Sequence, residues 1–192
     1  MTTTVLGLPA CSCQVAWFPP FLAELKARDL IKADADLGLV QLIGDAKASA
    51  GVHKTGGCAD WRNVNVEIAR VAREMGSPST WVRVGGPWVG NEHCHSGLRN
   101  CPHMAPAGRA QIVEVDAGGD GLLGSAPDDP RLAPFLNKRT WQQGIEWHRE
   151  QERLRRIERL NVRIAETLAE RDKLTGKIKR LRAQRDALRS AS

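Results

Sequence analysis

The segment SAGVHKTGGCAD, Ser49 to Asp60, constrains the fold more than any other stretch, because it sets a histidine and an aspartate seven residues apart around a glycine pair. Gly56 and Gly57 take backbone conformations that a side chain forbids, so the chain can turn there and bring Asp60 back beside His53. A second segment, Glu92-His93-Cys94-His95, carries a Glu-x-x-His spacing. Unlike the helical His-Glu-x-x-His motif it offers one ligand and can lie on a strand or loop, so its partners must come from elsewhere. Together His53, Asp60 and His95 form a three-ligand set for zinc (Zn2+) with a fourth position open, and Glu92 is placed to act as the base. Zinc in such a set activates water and polarises a carbonyl, which is the chemistry of neutral-pH amide hydrolysis.

These residues resemble the M15 family of zinc D-Ala-D-Ala peptidases, which carry a Ser, then HxxGxAxD, then ExxH. The resemblance is closer to the branch found in actinobacteria and their phages, where an SAGTHxxGGAxD-like segment precedes a helix, a W-x-R strand and a GPW…EHIH-like stretch. Here those read SAGVHKTGGCAD, Trp81-Val82-Arg83, Gly86-Pro87-Trp88 and EHCH. The resemblance spans roughly residues 40 to 130. It implies a small α+β zinc peptidase acting on peptidoglycan stem peptides, with His53, Asp60 and His95 as ligands and Glu92 as base. Two positions depart from the pattern: Cys58 stands where the family has Ala, and Cys94 where an aliphatic residue is usual. Either thiol could compete as a ligand, and Cys101-Pro102-His103 adds another. A closed Cys/His shell would make the zinc structural.

Trp61 and Trp88 flank the motifs and are candidates to wall a substrate cleft, although aromatic residues beside a metal more often serve packing. Arg62, Arg83 and Arg99 are candidates to hold a substrate carboxylate or polarise its carbonyl.

Along the chain, Met1 to Ala16 has no regular period, and Pro19-Pro20 reads as a helix opening, with Phe21, Leu22, Leu25 and Ile31 apolar. Leu39 to Ile43 predicts a buried strand, and Val64, Ile68, Val71, Ala72 and Met75 predict a core helix ended by Gly76. A strand follows at Trp81–Val84, and the Glu92–His95 stretch continues the sheet. Pro106 to Ala117 reads as a helix through Ala110, Ile112, Val113 and Val115, broken at Gly118-Gly119-Asp120-Gly121. The Asp residues at 116, 120, 128 and 129 lack calcium-loop spacing and suit turns. The expected architecture is α+β: a zinc domain over 1–123, a Pro/Asp-rich linker over 124–136, and a C-terminal helix over 137–192.

That helix segment has no Pro and carries a heptad, with Ile157, Ile164, Arg171, Ile178 and Arg185 at a and Leu160, Thr167, Leu174, Leu181 and Leu188 at d. Ile at a with Leu at d favours a two-stranded coiled coil and hence a homodimer; the alternative is a helix folded back on its own domain, with Trp141 and Trp147 making the contact. From Arg149 to Arg189 there are fourteen Lys or Arg against seven Asp or Glu, a net of +7 in a chain of +6, so the basic charge belongs to the helix alone. Such a helix can meet an anionic polymer or nucleic acid, or can simply present a solvated face.

The five cysteines are odd in number, and Cys11 and Cys13 are too close for an ordinary bridge, so they read as buried thiols in a reducing compartment. No run of 18 apolar residues exists and no basic residue precedes Lys26, so neither a membrane span nor a secretory signal is expected. The leading expectation is a zinc peptidase cleaving D-amino-acid-containing bonds of peptidoglycan, cytoplasmic in the producing cell or carried on a phage virion. The alternative is a virion structural or interaction protein whose zinc fold is a scaffold and whose coiled coil is the working part. A nucleic-acid-binding helix is the third reading.

Overall fold

The first described elements form a β-hairpin in which β1 (Thr4–Val5) pairs antiparallel with β2 (Leu8–Pro9). The computed structural model describes residues 3–45, 50–86, 89–122 and 126–190. Helix α1 (Ser12–Ala27) follows at once and runs through Pro19 and Pro20, so the expected aperiodic start and the helix opening at the prolines are both corrected. The physical reason lies in burial. Each proline inside a helix costs about 3 kcal/mol, whereas Trp17, Phe18, Phe21, Leu22 and Leu25 are all buried and each is worth roughly 1.5–3 kcal/mol. Trp17 stacks on Phe21 at 4.4 Å, and Phe21 meets Trp61 at 5.7 Å.

A four-stranded antiparallel sheet holds β3 (Leu39–Gln41), β4 (Cys58–Trp61), β5 (Trp81–Arg83) and β6 (His93–Gly97) in the order β3-β4-β6-β5. With the two-stranded hairpin and four α-helices, this makes the chain α+β. β3 is an edge strand, so the stretch predicted as buried leaves Val40 43% exposed and buries only Leu42 completely. Alternation along β4 and β6 puts Trp61 and Cys94 on one face, with Trp61 against Phe21 of α1, and Asp60 and His95 on the other.

Helix α2 (Val66–Glu74) is capped by Asn65, whose side-chain oxygen accepts from the Glu67 amide at 2.9 Å, and Gly76 leaves it at φ +85°. Helix α3 (Pro106–Asp116) starts on a proline and buries Gly108, Gln111, Ile112 and Val115. Val113, expected on its core face, is exposed.

The Pro/Asp-rich stretch is not a free linker over its described part. Fully buried Arg73 donates two hydrogen bonds to Asp128, at 2.6 and 2.7 Å, and two to the Thr80 carbonyl; Leu132 is fully buried as well. Arg99 holds Asp116 in a bidentate pair at 2.7 and 2.6 Å and reaches the Asn137 carbonyl. Helix α4 (Trp141–Ser190) begins inside the same unit, where His148 Nδ1 lies 2.8 Å from Glu24 Oε2 with both residues buried. The chain therefore divides into Met1–His148 and Arg149–Ser192, not at 124–136. In the second unit every residue from Arg156 to Ser190 is exposed. No helix among the described residues is long and apolar enough to cross a membrane.

A candidate metal centre on the four-stranded sheet

Antiparallel pairing of β4 with β6 sets Asp60 directly opposite His95, so their side chains rise from the same face as neighbours. His53 arrives from the segment before β4, turned back by Gly56 and Gly57 at φ +115° and +78°. Its Nε2 lies 3.1 Å from Asp60 Oδ2, while His95 Nδ1 lies 2.8 Å from Oδ1. One ligand atom from each residue falls within 4.8 Å of the others.

The outer nitrogens determine what the inner ones offer. His53 Nδ1 is 3.2 Å from the Leu42 carbonyl, and His95 Nε2 is 3.1 Å from Gln111 Oε1. Both oxygens only accept, so a tautomer with its proton on these outer nitrogens leaves the inward nitrogens free to ligate an ion. Burial drives the His95 pKa down to about 4 against the pull of Asp60, so that ring is neutral at neutral pH. Burial opposes the charge of Asp60 too, yet its bonds to His53 and His95 hold the carboxyl well below the usual carboxylate range. In that tautomer the two inward nitrogens and the carboxylate oxygens converge as donors, and a donor set of two imidazoles and one carboxylate fits zinc.

The site opens into a cavity of about 370 Å³ whose wall includes Val52, Arg62, Arg83, Asn91, His93 and Gln111. Of the three candidate arginines, Arg62 and Arg83 lie in this wall. Arg99 does not; it is engaged in the Asp116 pair, so its assignment to substrate is corrected. Glu92 is half-buried and stands outside the wall that its neighbours Asn91 and His93 line; its Oε1 accepts from the Gly90 amide at 3.1 Å. Trp61 is buried on the opposite face, because the residue after Asp60 in a strand must point away from it; it walls no cleft. The aromatic ring at the centre is instead Trp81, opposite His95 in the register with ring centroids 4.3 Å apart. Trp88 and Ser49 lie outside the described residues.

Neither of the thiols expected to compete does so. Cys94 Sγ points to the Asn63 carbonyl at 3.4 Å, and burial pushes that thiol up to about 12. Cys58 is fully buried beside Met104 and outside the cavity wall, and burial raises its pKa further still. Cys101 stands elsewhere, with Cys11 and Cys13.

Gln111 and His93 were not legible as site residues. Gln111 does leave a trace, since it is a polar residue four before Val115 on the buried side of α3. His93 shares the parity of His95 along β6; its Nδ1 bonds the Asn91 carbonyl at 2.6 Å and its Nε2 accepts from Arg83 at 3.1 Å. In comparisons with known proteins, no family model, curated protein or solved structure matches the chain.

Proposed function

We propose that this chain is a zinc-dependent peptidase that hydrolyses D-amino-acid-containing peptide bonds of peptidoglycan, in the manner its motifs share with the M15 family. The observation that carries the reading is the convergence of His53 Nε2 and His95 Nδ1 on the Asp60 carboxylate, with the other nitrogen of each ring held from behind by the Leu42 carbonyl or Gln111 Oε1. His53, Asp60 and His95 would hold the ion, which supplies Lewis acidity and an activated water. Arg62 and Arg83 line the cavity and suit the carboxylate of a stem peptide. Glu92 is the base on this reading, released from its bond to the Gly90 amide when substrate enters, since catalytic hydrogen bonds often tighten only in the complex. His93 is the weaker choice because Arg83 already occupies its Nε2. The protein would act in the producing cell's cytoplasm or from a virion.

The test is zinc analysis together with hydrolysis of pentapeptide and cross-linked muropeptides. Glu92→Gln is expected to keep the metal and lose at least ~100-fold in rate, the lower range for a general acid/base group. Wild-type protein that holds zinc at His53, Asp60 and His95 yet releases no amino acid would reject the peptidase.

The segment 149–190 favours a second reading. Ile157, Ile164, Ile178, Leu160, Leu174, Leu181 and Leu188 are exposed at heptad positions, which suits a virion structural or interaction protein that dimerises through this helix and meets an anionic polymer through its charge.

A further inference from the structure

A second group of potential ligands lies apart from the His53 centre. Cys11 and Cys13 stand at the start of α1, and Cys101 lies between β6 and α3; all three are buried, with sulfurs within 4.8 Å of one another. We propose that Cys11, Cys13 and Cys101 bind a structural zinc ion, with the neighbouring His103 completing the shell.

The spacing of the sulfurs is the first argument. Cys11 Sγ and Cys101 Sγ are 3.7 Å apart. A disulfide needs 2.03–2.05 Å, whereas the edge of a tetrahedron with Zn–S bonds of 2.3 Å is about 3.8 Å. The second argument is position: Cys11 is the N-cap of α1, where the helix dipole favours a thiolate. The third is the fourth ligand. His103 lies outside that close group, exposed two residues beyond Cys101, and its Nε2 is 3.1 Å from Ser12 Oγ within the Cys-x-Cys pair, so a turn of its side chain would bring it to the ion. Three soft thiolates and an imidazole select zinc and form a closed, non-catalytic shell.

The shell would brace the other centre. Gly56 and Gly57, the turn between His53 and Asp60, lie against these sulfurs: a Cβ on Gly56 would come 3.0 Å from Cys11 Sγ, and one on Gly57 3.1 Å from Cys101 Sγ. A zinc ion here would tie α1, the turn and the segment before α3 into one rigid corner.

The proposal is independent of the peptidase reading, and the experiment separates them. Full-length protein purified under reducing conditions should hold two zinc ions. His53→Ala/His95→Ala should keep one and, loaded with cobalt, should show the intense near-ultraviolet sulfur-to-cobalt band that only a thiolate site gives. His103→Ala should keep the band and bind cobalt more weakly; unchanged affinity would remove His103 from the shell. Because Cys11→Ser/Cys13→Ser could misfold, alkylation of the wild type is read by mass spectrometry as well: zinc should protect Cys11, Cys13 and Cys101, and a chelator should expose them. A cobalt-loaded His53→Ala/His95→Ala protein without the band, or a Cys11–Cys101 disulfide in the protein as isolated, overturns the proposal. Retention of the band with no metal at the His53 centre overturns the peptidase reading alone.

Discussion

At the scale of single residues, Gln111 is the most informative position, because its only bond to the candidate centre is to the outer nitrogen of His95. Outer partners of this kind typically account for 10–100-fold in metal affinity. Gln111→Ala is therefore expected to weaken zinc binding by about 10–100-fold in chelator competition, and Gln111→Leu likewise, while His53→Ala removes binding at this centre. The protonation of His95 also makes a statement about stability. In the metal-free protein it titrates at about 4, against 6.5 when unperturbed. Between those values the unfolded chain binds a proton that the folded chain refuses, so stability is fully present above 6.5 and falls as pH drops toward 4. One group shifted this far contributes roughly 3 kcal/mol. Asp60, lowered in the folded chain, extends the loss at still more acid pH. Denaturant midpoints of chelator-treated protein should fall between pH 7 and 4.5, and less so for His95→Gln; equal slopes would remove His95 as the cause.

At the scale of elements, helix α4 offers two glycines that respond oppositely to one substitution. Gly176 has nothing within 4 Å of the place a Cβ would occupy, so Gly176→Ala should stabilise the helix by about 1 kcal/mol. Gly144 is packed so closely that a Cβ would overlap the Met75 carbonyl oxygen. Backbone cannot retreat as a side-chain tip can, so Gly144→Ala should lower the melting temperature despite alanine's helix propensity. The two variants, compared by circular dichroism and calorimetry, test whether the first turns of α4 dock where Gly76 and Met75 receive them. Equal effects at both positions would place Gly144 on an open face.

At the scale of the whole molecule, the boundary after His148 predicts which truncations fold. A chain ending at Arg149 keeps Arg73–Asp128, Glu24–His148 and Leu132. One ending at Ser125 leaves Arg73 buried without its carboxylate, a loss of the order of 3–5 kcal/mol, and uncovers the bed of Leu132. The longer piece should be a folded monomer that retains zinc, and the shorter should aggregate; the reverse order would return the boundary to 124–136. On the coiled-coil reading, Ile164→Asp with Ile178→Asp should leave the full-length protein monomeric in light scattering with its zinc content unchanged, since each would put a charge in the paired seam.

The α+β class, the α2 helix, the β5 strand and the meeting of His53 with Asp60 follow from local pattern alone, because a glycine turn and a 3.6-residue period are properties of adjacent residues. What the sequence could not reveal came from contacts between distant segments. Pro19 and Pro20 tolerate a helix only because the aromatic cluster around Phe21 and Trp61 rewards it. Trp61 leaves the cleft that its place beside Asp60 suggested, and Trp81 stands there against His95, because strand register, not proximity to a motif, decides which face a side chain takes. The Pro/Asp-rich stretch looks like a linker until Asp128 meets Arg73, 55 residues away, and Arg99 looks like a substrate ligand until Asp116 claims it. Cys11 and Cys101 lie 90 residues apart, and only the folded chain brings their sulfurs to 3.7 Å. Local propensity is written in neighbours, whereas the pairing of buried charges and thiols depends on which surfaces the core brings together.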